Sequence, residues 1–132
     1  LTLEPHAGLD DRHLESWAQV FKGHLVYEPR AIPLVRLGQE FNLAPVHAYP
    51  WGEDPDLYRR WFRSWSTRLG RFARIVWSPN VAYPGSRPVV AYWPGEAYVD
   101  IVGLDGYAWN SAMPADIFGP TLAFLRGFTE ME

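Results

Sequence analysis

The sequence predicts an α/β fold, a mainly parallel sheet of four strands with helices packed outside it. Three observations carry this expectation. Short apolar runs at 1–3, 32–40, 74–77 and 98–104 alternate with helical patterns, and such alternation implies parallel strands joined by right-handed crossovers. The stretch 32–42, IPLVRLGQEFN, opens near a Pro, is apolar through Leu34, Val35 and Leu37, and closes on Gln39, Glu40 and Asn42. A buried parallel strand reads as a short apolar run, and α/β barrels place their chemistry at its carboxyl end. The other runs also end in polar residues: Glu4, then Ser78-Pro79-Asn80, then Asp105-Gly106-Tyr107. Glu40 is the leading candidate for a working carboxylate. A Glu that merely begins a solvated loop is the competing reading.

The elements follow in order. The run 1–3 reads as the end of a strand, followed by Glu4-Pro5. Asp10 or Asp11 is placed to cap a helix with Leu14, Trp17, Ala18 and Phe21 as its buried stripe, and Gly23 is placed to end it. After Glu40, the segment 41–53 is rich in Pro and aromatics and carries His47, Tyr49 and Trp51, a composition suited to a binding loop. Asp54-Pro55 opens a clear helix. Leu57, Tyr58, Trp61, Phe62, Trp65 and Leu69 line its apolar face, and Arg59, Arg60, Arg63 and Arg68 form a solvated one. Gly70 ends it. The loop 81–95 carries Tyr83, Tyr92 and Trp93, and a later loop carries Trp109 and Asn110. Gly119-Pro120 leads into a last helix with Leu122, Leu125 and Phe128 turned inward.

Composition narrows the partners. The 132 residues suit one domain with one modest core. The formal charge is −3 and the pI about 5.8, so no nucleic acid or anionic membrane is expected as a partner. With no Cys, disulfides and thiolate metal sites are excluded. No apolar run approaches the roughly 18 residues of a membrane span, and no signal peptide is visible. His6, His13 and His24 lack metal-ligand spacing, so neither a metal nor a cofactor is expected. Aromatic residues make up 16% of the chain, many of them in predicted loops. Rings in clefts suit the C–H faces of sugars; a small core also demands bulky residues, which accounts equally for Trp17, Trp61 and Trp65.

Four segments together resemble glycoside hydrolase family 26: VRLGQEFN around Glu40, YPW at 49–51, VWSPN at 76–80, and YWPGEAYVDIVGLDGY at 92–107. They cover most of 32–107. That family is mostly β-mannanases, retaining enzymes on a (β/α)8 barrel. The resemblance implies that residues 1–132 form a single domain, half of a TIM-type barrel, equivalent to its third to sixth βα units. It implies Glu40 as general acid/base at the end of the family's fourth strand. Trp51 would line a sugar subsite, and Tyr107 would orient the nucleophile. Asn42 and Trp77 join them as expected substrate contacts, and Asp105 reads either as another or as a cap of the turn at Gly106. Two positions depart from the family: Gln39 stands where a His is usual, and Leu43 where the motif closes on Gly. The family's nucleophilic Glu ends the seventh strand, a position outside these residues.

Retaining hydrolysis needs two carboxyls about 5–5.5 Å apart, and one strand-end Glu cannot fill both roles. A four-strand sheet also leaves two unpaired edges. The expectation is a homodimer closing a full barrel, each edge pairing with the other edge of its partner. The first strand of a second copy would then occupy the seventh slot, and its Glu4 would serve as nucleophile opposite Glu40. The function expected is a glycosidase acting on β-1,4-mannan or a related β-glycan by a retaining acid/base mechanism, with an oligosaccharide or polysaccharide as substrate. The alternative is a catalytically inactive half-barrel that binds carbohydrate.

Overall fold

The computed structural model describes residues 1–5, 11, 13–108 and 111–129. His6, Asp10, Trp109, Asn110, Glu130 and Glu132 lie outside the described residues, as does the side chain of Phe128. The order is β1 (Thr2–Leu3), α1 (Leu14–Tyr27), β2 (Leu34–Gln39), α2 (Pro55–Leu69), β3 (Arg74–Ser78), β4 (Ile101–Val102) and α3 (Pro114–Thr129). The four strands lie side by side in chain order, and every pairing is parallel.

The sheet has one dry face. Val35, Leu37, Ile75 and Trp77 are buried there with Tyr58, Trp61, Phe62, Trp65 and Leu69 of α2. The burial alternates because successive side chains of a strand point to opposite faces. The other face carries Thr2, Arg36, Val76 and Ser78, and Arg36 there bonds both Thr2 and Asp105. Helix α2 matches its expected bounds. Asp54 Oδ1 accepts from the backbone N–H of Asp56 at 2.8 Å and of Leu57 at 3.0 Å, so the cap satisfies two of the orphan donors of the first turn.

Five expectations about elements are corrected. Helix α1 does not stop at Gly23 but runs through Tyr27; a glycine inside a helix costs only about 1 kcal/mol. Asp11 does not cap it through its side chain; its carboxylate accepts from Trp65 Nε1 at 2.7 Å instead. Helix α3 begins at Pro114, not at Gly119, and carries Pro120 inside it. Its Leu122 is exposed whereas Leu125 is buried. The expected strand 98–104 shrinks to Ile101–Val102, because a short 3-10 turn occupies Glu96–Tyr98.

No α-helix joins β3 to β4. The connection carries two 3-10 turns, Val89–Tyr92 and Glu96–Tyr98, and α2 grips it. Arg63 Nε donates to Pro94 O at 2.7 Å, Arg59 donates to Ala91 O, and Ser66 Oγ donates to Tyr98 O at 2.6 Å. The arginines read as a solvated face thus include two that anchor a loop. Among the described residues, no helix is long and apolar enough to cross a membrane.

Candidate active site

The end of β2 is where the backbone departs from regularity. Its register against β3 shifts between Arg36 and Gln39, the mark of a bulge, which bends a strand and re-aims its side chains. Gly38 has φ 58° and Glu40 has φ 47°. The left-handed region costs a residue with a side chain about 1–2 kcal/mol, and such strain gathers at functional positions. Gly38 is needed twice over, because a Cβ there would come within 3.1 Å of Trp51 Cδ1.

A buried amide holds this turn against β3. Asn42 is wholly buried. Its Nδ2 donates to Asn80 O at 3.0 Å, and its Oδ1 accepts from Asn80 N at 2.8 Å. Asn80 thus has a fixed backbone, and its Nδ2 donates to Glu40 Oε1 at 2.8 Å. The backbone N–H of Glu40 donates to Ser78 O at 3.2 Å. Glu40 is half-buried, and it borders a cleft of ≈ 640 Å³ together with Asn80, Tyr83, Tyr107, His47 and Asp116. That volume falls within the range of ligand clefts, about 300–1,000 Å³. Tyr83 is fixed there, since its hydroxyl accepts from Ala44 N at 2.8 Å. The cleft crosses the carboxyl ends of β2 and β3 and the chain beyond β4.

The expected site residues divide. Glu40 and Tyr107 line one cleft. Asn42 does not reach it; its amide acts on Glu40 through Asn80. Trp51 is 5% exposed, with Tyr49 stacked on its ring at 4.4 Å and Gly38 packed against it. Its Nε1 donates to Gln39 O at 2.8 Å. It braces the turn of Glu40 and offers no open face to a sugar, which corrects the expected subsite. Trp77 is also corrected: it is 0% exposed, packed between Phe41 and Trp93, because its place in β3 faces the helices. Asp105 caps no turn. Its Oδ1 pairs with Arg36 at 2.6 Å and its Oδ2 accepts from Ser78 Oγ at 2.9 Å. Glu4 lies at the end of β1, where its Oε1 accepts from Gln39 Nε2 at 3.2 Å.

Asn80, whose amide bonds Glu40, is not among the expected site residues; its place in the polar end of a strand is the only signal of it in the sequence. Among the described residues no cluster of three or more His, Asp or Glu could hold a metal ion.

A parallel sheet with helices packed on it defines an α/β protein, a class whose sites lie at the carboxyl ends of its strands. The model of glycosyl hydrolase family 26 matches residues 40–131, and the chain belongs to that family. The match starts at Glu40 and runs through α3, beyond the segments that carried the resemblance. No curated protein and no solved structure matches the chain.

Proposed function

We propose that this chain is the acid/base half of a retaining glycosidase acting on β-1,4-mannan or a related β-glycan. One observation carries the reading: Glu40 stands on a left-handed backbone at the carboxyl end of β2, clasped by Asn80 and facing a cleft that crosses the strand ends. Asn80 donates to Oε1, so in the acid form the proton sits on Oε2. From there it passes to the glycosidic oxygen as that oxygen's bond to the anomeric carbon breaks and the nucleophilic carboxylate bonds the carbon. In the second step the Glu40 carboxylate takes a proton from water, whose oxygen bonds the same carbon as the carbon's bond to the nucleophile breaks.

The nucleophile belongs on a strand paired with the open edge of β4. In a two-fold dimer Glu4 of a second copy falls in that slot, about 5–6 Å from Glu40. Tyr107 borders the same cleft and is placed to orient it. The test is release of reducing sugar from a panel of β-glycans. The protein should cleave at least one β-1,4-linked glycan, mannan first. Glu40→Gln should remove that activity with an unchanged circular dichroism spectrum. Activity that survives the substitution refutes the assignment, and binding without turnover by the unaltered protein turns the reading to a carbohydrate-binding half-barrel.

A further inference from the structure

Two loops from different strands wall the Glu40 cleft. The loop after β2 gives Leu43 and His47, and the connection after β3 gives Val81, Ala82 and Tyr83. Hydrogen bonds tie the two loops together, and Arg87 of the second makes one at each end of the first. Its backbone N–H donates to Asn42 O at 2.8 Å, and its guanidinium donates to Gly52 O. The Tyr92 hydroxyl donates to the same Gly52 oxygen at 2.6 Å, so both lone pairs of that carbonyl are used.

Gly52 is where this clamp reaches the site. A Cβ there would come within 2.3 Å of Phe41 O, so the backbone of Gly52 rests directly on that of Phe41. Phe41 follows Glu40 in the chain and is wholly buried, its ring packed against those of Tyr58, Trp77 and Tyr92. Glu40 itself stands at φ 47°, a conformation that persists only where its surroundings hold it. Arg87 acts on those surroundings twice: through Gly52 on Phe41, and through Asn42 O on the residue after Phe41. The two donors to Gly52 O differ in what else they do. Tyr92 is wholly buried, so its loss removes core packing. Arg87 is half-buried, and without its guanidinium the Gly52 carbonyl still has Tyr92 as a donor. The core can therefore spare the guanidinium, whereas the turn of Glu40 loses a restraint.

We propose that Arg87 is a positioning residue for proton transfer by Glu40: it locks the β3–β4 connection onto the loop after β2 and so fixes where the Glu40 carboxyl points. This rests on the glycosidase reading above. Arg87→Met keeps the apolar stem of the side chain and removes its donors. The test is kcat/KM on a mannan oligosaccharide, whose leaving group needs the acid, and on a dinitrophenyl β-mannoside, whose leaving group does not. Arg87→Met should lower the oligosaccharide value about tenfold, since misplacing a reacting group by about 1 Å costs up to about 10²-fold. The dinitrophenyl value should stay nearly unchanged, and the melting temperature should fall by no more than about 5 °C. Arg87→Lys, which keeps a charged donor for Gly52 O, should recover most of the loss. An unchanged oligosaccharide value, equal losses on the two substrates, or a loss that Arg87→Lys does not recover overturns the proposal and leaves Arg87 a brace of the fold. Glu40→Gln, measured beside it, separates the two claims. If Glu40→Gln also loses equally on both substrates, or if the unaltered protein hydrolyses neither, the glycosidase reading fails and the role of Arg87 in it fails too. If Glu40→Gln discriminates between the substrates and Arg87→Met does not, the positioning role alone fails.

Discussion

Asn42 keeps its amide away from solvent and spends both ends of it on the backbone of Asn80. Replacing it by Leu leaves a buried N–H and a buried C=O without partners, at a cost of about 2–4 kcal/mol. Asn80 then loses its fixed place, so Asn42→Leu should lower both thermal stability and turnover. Asn80→Ala removes only the bond to Glu40 and should lower turnover with little change in melting temperature; equal melting losses in the two variants would deny the division of roles. Trp51 belongs with Asn42. Truncating it to Ala should cost about 3–5 kcal/mol, as for other buried aromatics, read by urea denaturation. A variant that keeps its stability but loses oligosaccharide affinity would return Trp51 to the sugar. Neither role was legible in the sequence: a strand-end Asn and a loop Trp look the same whether they face ligand or core, and only burial separates them.

At the scale of elements, α2 was the most legible. Asp54, Pro55 and Gly70 mark its ends, and its apolar face has a clean helical period. The parallel sheet and the carboxyl-end position of Glu40 were legible for a similar reason, since alternation and polar strand ends are local signals. The start of α3 was not, because a Pro in the first turn and a Pro inside a helix read alike; Pro114 is the first and Pro120 the second. The bulge that aims Glu40 also left little trace beyond a Gly at 38, as pairing register depends on the neighbouring strand. The α2 core has a consequence for pH. Burial raises the Tyr58 hydroxyl well above its ordinary 10.0, with Tyr92 adding to the effect, and burial raises Tyr92 as well. Both stay neutral in the fold while the unfolded chain ionises near its ordinary value. Their contribution is therefore whole below about pH 10 and is lost as pH rises toward the folded values. Melting temperature should fall above pH 10, and Tyr58→Phe should flatten that fall; a flat profile for the unaltered protein would contradict it. Glu15, held low first by its hydrogen bond to Arg68 and then by Gln19, acts in the opposite sense and weakens the fold as pH drops through its lowered value.

The whole molecule is a four-strand arc, open at β1 and β4 among the described residues. At the β4 edge Ile101 and Val102 are each 39% exposed. Open parallel edges invite pairing. Light scattering of this chain should report a dimer, and a monomer at micromolar concentration would rule out completion of the barrel by a second copy. Under the proposed function, Glu40 protonates the departing oxygen. Protonation matters most when the leaving group is a sugar alkoxide and least when it is an acidic phenol. The decisive measurement is kcat/KM of Glu40→Gln on a mannan oligosaccharide and on a dinitrophenyl β-mannoside. If Glu40 is the general acid, the oligosaccharide rate falls by about 10²–10⁴-fold, while the dinitrophenyl glycoside, which leaves without help, loses far less. Equal losses on the two substrates, or an oligosaccharide rate that does not fall, would contradict the account.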